Sequence, residues 1–69
     1  MKISARNTLK GKIISINKGP VSTEVILEIA PGVQIAASIT THSAETMALK
    51  AGDSAYGIIK ASSVMIGID

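Results

Sequence analysis

Residues Val21–Ile39, VSTEVILEIAPGVQIAASI, contain the pattern that decides the fold. Apolar side chains and one threonine recur at every second position on either side of a central Ala30-Pro31-Gly32, and polar side chains separate most of them, with Ile26 as an exception. This period of two is typical of half-buried antiparallel strands. Proline presets the first dihedral of a tight turn and glycine accepts a positive φ. The segment therefore predicts a hairpin of two strands, Val21–Ile29 and Val33–Ile39.

Turn signals divide the rest of the chain into short elements. A cap-rich run, Thr40–Ser43, precedes a short helical segment that Lys50–Asp53 closes, and Gly11 indicates a bulge or bend in the first strand. Besides the hairpin, the predicted elements are a strand at Leu9–Asn17, a helix at Ala44–Leu49, and strands at Ser54–Lys60 and Val64–Ile68. Five strands with a helix between the third and fourth predict an all-β chain, a small five-stranded OB-like barrel. A β-sandwich fits less well because it usually needs about seven strands and 100 residues.

Length and composition set limits on the assembly. We expect residues 1–69 to form one small domain, and a chain of this size buries a modest core. Hydrophobic residues nevertheless make up 46% of it, which favours an obligate homo-oligomer. The alternative is a well-packed monomer with an ordinary apolar surface. No apolar run is long enough to cross a bilayer and no signal-peptide pattern opens the chain, so we expect a cytoplasmic protein without a membrane partner.

Composition also argues against several chemistries. The chain has no cysteine and one histidine, His42, so a catalytic triad would have to be built around that residue. Zinc sites need several Cys or His ligands, calcium loops need clustered acidic and amide residues, and phosphate loops need a glycine-rich motif, none of which is present. We therefore expect no enzyme, no residues acting as direct metal-cation ligands and no organic cofactor.

Positive charge is concentrated near the N-terminus. Five of the seven basic residues lie within the first eighteen positions, and all the carboxylates come later. Such a distribution attracts anions. We interpret Lys10, Lys12 and Lys18 as solvated residues of an exposed strand, which leaves Arg6 as the main candidate for anion binding.

Three segments suit a small oxyanion. Ser4-Ala5-Arg6-Asn7 combines a hydroxyl, the five N–H donors of an arginine and an amide. Thr40–Ser43 precedes a helix N-terminus, where free N–H groups point outward, and Lys60 leads into a second small-residue turn. None of these segments contains Asp or Glu, which would repel an anion. Each has a plainer interpretation, because Thr40 and Ser43 also suit simple capping and Lys60 a solvated strand end.

Nucleic-acid binding is the alternative from another functional class. OB barrels often bind single strands, with bases stacked on aromatic side chains along a basic groove. Here Tyr56 is the only aromatic residue and the net charge is only +2. A third possibility is a structural assembly module that binds anions incidentally.

The same segments resemble a known family. The Ser4–Asn7 motif followed by Leu9-Lys10-Gly11, Glu24-Val25, Ile39-Thr40, Lys60-Ala61-Ser62 and Val64-Met65 is similar to the molbindins, the small molybdate-binding (Mop) domains of the wider TOBE class. The resemblance runs from Ile3 to Ile68. It implies a homohexamer, a trimer of dimers, that binds molybdate or tungstate at subunit interfaces for intracellular molybdenum storage and homeostasis.

The resemblance also implies which residues bind the oxyanion. In the family, ligands come from the Ser-Ala-Arg-Asn segment of one subunit and from the pre-helix and post-strand-four segments of a neighbour, which places Arg6 and Lys60 on different chains. The matching residues here are Ser4, Ala5 through its backbone, Arg6, Asn7, Thr40, Ser43, Lys60, Ala61 through its backbone, and Ser62. A second site near a threefold axis is assigned to Gly19, Val21 and Ser22, where Pro20 removes one backbone donor.

Overall fold

A computed structural model describes all 69 residues, Met1–Asp69. Its elements are β1 (Asn7–Lys18), β2 (Ser22–Ala30), β3 (Val33–Thr40), α1 (Thr41–Thr46), β4 (Ser54–Ile59) and a 3₁₀ turn at Ala61–Ser63. The fold is all-β with one short helix, and the helix lies between the third and fourth strands as the sequence predicts.

The four strands form one antiparallel sheet in the order β3-β2-β1-β4. The predicted hairpin is confirmed, because β2 pairs with β3 from Ser22↔Thr40 to Ala30↔Val33. Only Pro31 and Gly32 lie between the last two partners, and Gly32 has a φ of +76°. Glycine adopts this left-handed conformation without the steric cost that a Cβ would bring.

Strand β1 holds the sheet together because it pairs with two neighbours in succession. Its first half pairs with β4 and its second half with β2, and the register to β2 shifts between Ile13 and Ser15. The predicted bulge at Gly11 is therefore wrong. Gly11 instead allows a close approach of two strands, because a Cβ there would collide with the carbonyl oxygen of Glu28.

The core is small and lies on the concave face of a curled sheet. Ile13, Val25 and Leu27 are buried, and partly buried side chains from β3, β4 and the segment after α1 pack against them. The sheet curls far enough that a Cβ on Gly57 of β4 would collide with the Ile35 side chain of β3. The two outer strands thus approach each other across the core.

The helix and the fifth strand differ most from the sequence prediction. Helix α1 begins at Thr41, three residues before the predicted start, because the Thr40 side chain caps it by accepting a hydrogen bond from the Ser43 N–H. Residues Val64–Ile68, predicted as the fifth strand, pair with no strand of the chain. They follow the 3₁₀ turn, and Met65, Ile66 and Ile68 are 89–95% exposed.

None of the helices is both long and apolar enough to span a membrane.

Candidate anion-binding cleft

A cleft at one end of the sheet collects most of the predicted site residues. The segment before β1 forms one wall, the segment after β4 forms the other, and Ile58 of β4 completes the lining. The predicted residues that line it are Ser4, Ala5, Arg6, Lys60, Ala61 and Ser62. Six of the nine predicted oxyanion-binding residues thus lie together within a single chain.

The register between β1 and β4 positions the two cations. The last pair of this ladder is Asn7↔Ile59, so the same register continued by one position sets Arg6 opposite Lys60. Residues directly opposite each other on antiparallel strands have Cβ atoms about 4.5–5.5 Å apart. The resemblance placed these cations on different subunits, whereas here one chain contributes both to the same cleft.

Asn7 has a supporting position. Its Nδ2 donates a hydrogen bond to the carbonyl oxygen of Ile59 at 3.2 Å, and Asn7 does not line the cleft. The bond ties the start of β1 to the end of β4, immediately next to Arg6 and Lys60. In this structure Asn7 therefore holds the two walls together.

The electrostatics of the cleft favour an anion. No carboxylate lines it, and the one ion pair of the chain joins Lys18 and Glu45 elsewhere, at 3.6 Å. Like charges that face each other across two strands are destabilising. A small dianion between Arg6 and Lys60 would remove this repulsion and accept their N–H groups.

Backbone donors add to the two cations. Two backbone hydrogen bonds close the 3₁₀ turn: the Ser63 N–H donates to the Lys60 carbonyl at 2.8 Å, and the Val64 N–H donates to the Ala61 carbonyl at 3.3 Å. The N–H groups of Ala61 and Ser62 precede these bonds, so they are the groups that the first turn of a helix leaves without internal partners. The Ser4 and Ser62 side chains line the same cleft.

Thr40 and Ser43 lie outside this cleft. The Thr40 hydroxyl donates to Ser43 Oγ at 2.8 Å and accepts from the Ser43 N–H at 3.0 Å, so the two residues bond to each other at the start of α1. Thr40 pairs with Ser22 near the Lys18 end of β1, whereas the cleft adjoins the Asn7 end of that strand. A single chain therefore does not bring these hydroxyls to Arg6 and Lys60.

The turn assigned to the second site uses several of its polar groups internally. Gly19 N–H donates to the Ser22 carbonyl at 2.9 Å, and the Gly19 carbonyl accepts from the Thr41 hydroxyl at 2.7 Å. The buried Thr23 hydroxyl bonds to the same Thr41 hydroxyl at 2.8 Å. Val21 is exposed at the tip of the turn. Fewer polar groups of this turn are therefore free to bind a ligand than the sequence predicts.

Sequence reasoning missed three residues of these two regions. Ile58 lines the cleft, and nothing in its strand pattern separates it from an ordinary core position. Thr41 and Thr23 hold the Gly19–Ser22 turn from below through their hydroxyls. One signal was available for Thr23, because it is the only polar residue in the apolar alternation of β2.

Comparison with known proteins identifies the class. The TOBE domain family matches residues 3–66. The chain therefore belongs to the TOBE domain family. It is 44% identical over 69 residues to the probable molybdenum-pterin-binding protein of Haemophilus influenzae, and the match covers all of both chains.

Solved structures narrow the similarity to the Mop group and confirm the resemblance to the molbindins. MopII from Clostridium pasteurianum superposes with a TM-score of 0.91 at 43% identity, covering 97% of this chain and 100% of MopII. The cytoplasmic molybdate-binding protein ModG, in a structure with molybdate bound, gives a TM-score of 0.83 at 39% identity and covers 88% of this chain and 43% of ModG. The family is one of binding proteins rather than enzymes.

Proposed function

We propose that this chain binds molybdate, and tungstate in the same way, as an intact tetrahedral dianion without chemistry on it. The observation that carries the proposal is the cleft that both Arg6 and Lys60 line, with no carboxylate in its lining. The names of the similar proteins, molybdenum-pterin-binding and molybdate-binding, supply the identity of the anion.

Each cleft residue has a distinct role in this proposal. The Arg6 guanidinium donates two parallel hydrogen bonds to two oxygens of the anion, and the Lys60 ammonium supplies a compact second charge. The Ser4 and Ser62 hydroxyls and the N–H groups of Ala61 and Ser62 orient the remaining oxygens. Ala5 contributes its backbone, and Asn7 keeps the two walls in register.

We propose that the site is completed at a subunit interface of a homo-oligomer, a hexamer built as a trimer of dimers. Thr40 and Ser43 are distant from the cleft of their own chain, so a neighbouring subunit would have to supply them. Gly19, Val21 and Ser22 remain our assignment for a second site on the threefold axis. The five-stranded barrel and the single domain 1–69 remain predictions for the assembled protein.

The biological role that follows is molybdate storage and homeostasis in the cytoplasm. The similarity to ModG, a cytoplasmic molybdate-binding protein, supports this location and the binding of molybdate. Reversible binding by hydrogen bonds and charge suits a buffer, because the anion is released unchanged when its free concentration falls.

A competition titration tests the proposal. Sulfate has the charge and shape of molybdate but shorter bonds, so a cleft fitted to molybdate should reject it by size. We expect molybdate to bind in the presence of excess sulfate, measured by isothermal titration calorimetry. Equal affinity for the two anions would instead indicate an assembly module with incidental anion binding. A parallel titration with a free pterin, for which we expect no binding heat, tests for an organic ligand.

Single-stranded nucleic acid is the less favoured function. Tyr56 offers the only aromatic ring, and the Lys10 ammonium already lies over it, 5.9 Å from the ring centroid. Stacking of successive bases needs several free rings. Fluorescence anisotropy with a labelled oligonucleotide should therefore show no saturable binding.

A further inference from the structure

One large apolar side chain lies among the polar groups of the anion-binding cleft. Ile58 of β4 lines the cleft together with the two cations, two serines and two alanines, and it is 49% exposed. Single exposed isoleucines are common on protein surfaces. This one borders the space between the cleft walls, so an anion bound there would meet its apolar surface.

The strand geometry sets Ile58 beside Lys60. The backbone at Lys60 is still extended, with φ −62° and ψ 130°, so alternation along the strand turns the side chains of residues 58 and 60 to the same side. Two residues of extended chain, about 7 Å, separate their Cα atoms. Because both residues line the same cleft, an anion that contacts the Lys60 ammonium lies close to the Ile58 side chain.

The other lining groups serve any tetrahedral dianion. Charged groups, hydroxyls and backbone N–H groups donate hydrogen bonds to molybdate and to sulfate alike. Ala5 and Ala61 each present only a methyl group. Ile58 is the one lining residue that combines a large side chain with no hydrogen-bond donor on it.

We propose that Ile58 determines the selectivity of the cleft for molybdate and tungstate over sulfate, an inference that rests on the proposed function. Sulfate has the same charge but is smaller, and a smaller ion of equal charge is more strongly hydrated because the Born solvation energy rises as the radius falls. Donor groups replace the water that an anion loses on entering the cleft. The Ile58 side chain displaces water without replacing its hydrogen bonds, and this costs sulfate more than molybdate.

Two substitutions of nearly equal shape isolate this effect. Ile58→Val keeps an apolar wall, and Ile58→Thr has a hydroxyl where the valine has a methyl group. Isoleucine, valine and threonine are all β-branched, which keeps the restricted side-chain conformation that suits a strand. The threonine hydroxyl can donate to either anion, but it favours sulfate, because charge at a shorter distance attracts the donor more strongly.

Isothermal titration calorimetry with molybdate, tungstate and sulfate gives the ratio of the sulfate Kd to the molybdate Kd for each protein. We expect this ratio to be about fivefold lower, or more, in Ile58→Thr than in Ile58→Val. Such a change is part of the roughly ten- to hundredfold that one hydrogen bond to a charged group contributes to binding. Tungstate, which is close to molybdate in size, should follow molybdate in every variant.

Ile14 provides the matched control. It is 39% exposed in β1 and does not line the cleft. Ile14→Thr and Ile14→Val make the same chemical comparison on another part of the sheet, and their Kd ratios should agree within about twofold. A ratio that falls equally in Ile58→Thr and Ile14→Thr would overturn the proposal, because it would indicate a general effect of added surface polarity.

Ile58 also lines the apolar groove between β3 and β4, so thermal melts and native mass spectra of each variant are compared with those of the parent. If Ile58→Thr does not fold or assemble, Ile58→Ala and Ile58→Leu take its place, because alanine opens the wall to water while leucine keeps it apolar. The ratio should then be lower in Ile58→Ala than in Ile58→Leu, and equal ratios would overturn the proposal.

The outcomes separate the role of Ile58 from the proposed function. A parent protein that binds neither anion, or binds sulfate as tightly as molybdate, would refute the proposed function. A parent that prefers molybdate, with the same preference in Ile58→Thr and Ile58→Val, would overturn the role of Ile58 and leave the proposed function intact.

Discussion

Replacement of Arg6 by alanine is the most informative perturbation of the cleft. The substitution removes two charge-assisted hydrogen bonds to the anion, each contributing about 1.5–3 kcal/mol. The loss of about 3–6 kcal/mol corresponds to binding weaker by about 10²–10⁴-fold, since 1.4 kcal/mol is a factor of ten. The sheet itself should be unaffected, because Arg6 precedes β1 and forms no ion pair within the chain.

The assay is isothermal titration calorimetry with molybdate in sulfate-free buffer at about 0.1 M monovalent salt. Lys12→Ala is the matched control, because it removes the same charge from an exposed position in β1. Lys12 is six residues from Arg6, about 20 Å along an extended strand, which exceeds the Debye length of about 10 Å at this salt concentration. We expect less than a threefold change in Kd for the control.

Two results would refute this reasoning. The first is Arg6→Ala binding molybdate within about threefold of the parent while its circular dichroism spectrum is unchanged, which would place the site elsewhere. The second is Lys12→Ala weakening binding as much as Arg6→Ala, which would mean that general positive charge attracts the anion and the cleft does not.

Three further substitutions test the geometry. Lys60→Met should weaken molybdate binding, yet in ligand-free protein it should raise the free energy of unfolding by about 0.2–1 kcal/mol, because it removes a positive charge next to Arg6. Urea titrations should show this gain in stability at low salt and not at 1 M salt, where the repulsion is screened. A loss of stability at low salt would contradict the placement of the two cations opposite each other. Thr41→Val leaves the buried Thr23 hydroxyl and the Gly19 carbonyl without their hydrogen-bond partner, which should lower the free energy of unfolding by about 1–3 kcal/mol. Thr41→Ser is the control because it retains the hydroxyl. An equal loss of stability for both variants in urea titrations would argue against the hydrogen-bond network. Gly11→Ala should lower the free energy of unfolding by about 1–3 kcal/mol, because the added Cβ overpacks against the Glu28 backbone. A Cβ on Gly67 meets nothing within 4 Å of its own chain, so Gly67→Ala is the matched control. A lower Tm for Gly67→Ala than for Gly11→Ala in thermal melts would contradict this.

The parts of the fold that local chemistry determines could be predicted from the sequence. The β2–β3 hairpin depends on side-chain alternation and on a two-residue turn at Pro31 and Gly32, all within nineteen contiguous residues. The sequence also predicts the helix, but places its start at Ala44 and not at Thr41. The run of potential N-cap residues from Thr40 to Ser43 offers several starting points, so local chemistry does not select one of them.

Features that depend on pairing between distant residues could not be predicted in the same way. The sequence nominated Arg6 and Lys60 as cations, but their placement opposite each other depends on the β1–β4 register, which joins residues about fifty positions apart. The register between β1 and β2 shifts between Ile13 and Ser15, and no local signal in the sequence marks that position.

The remaining differences concern groups that a single chain does not bring together. The alternation of Val64, Ile66 and Ile68 predicts a strand, yet one chain provides no partner for it. Thr40 and Ser43 were nominated as ligands and instead bond to each other in the isolated chain. In the proposed oligomer both features would be completed by contacts between subunits, which local pattern does not specify.

Native mass spectrometry, with and without molybdate in sulfate-free volatile buffer, tests most directly whether this chain binds the anion as an assembly. The account predicts an oligomer, expected to be a hexamer, that gains discrete molybdate adducts and loses them in Arg6→Ala. A monomer or dimer that gains no adduct at molybdate concentrations up to the millimolar range would contradict it.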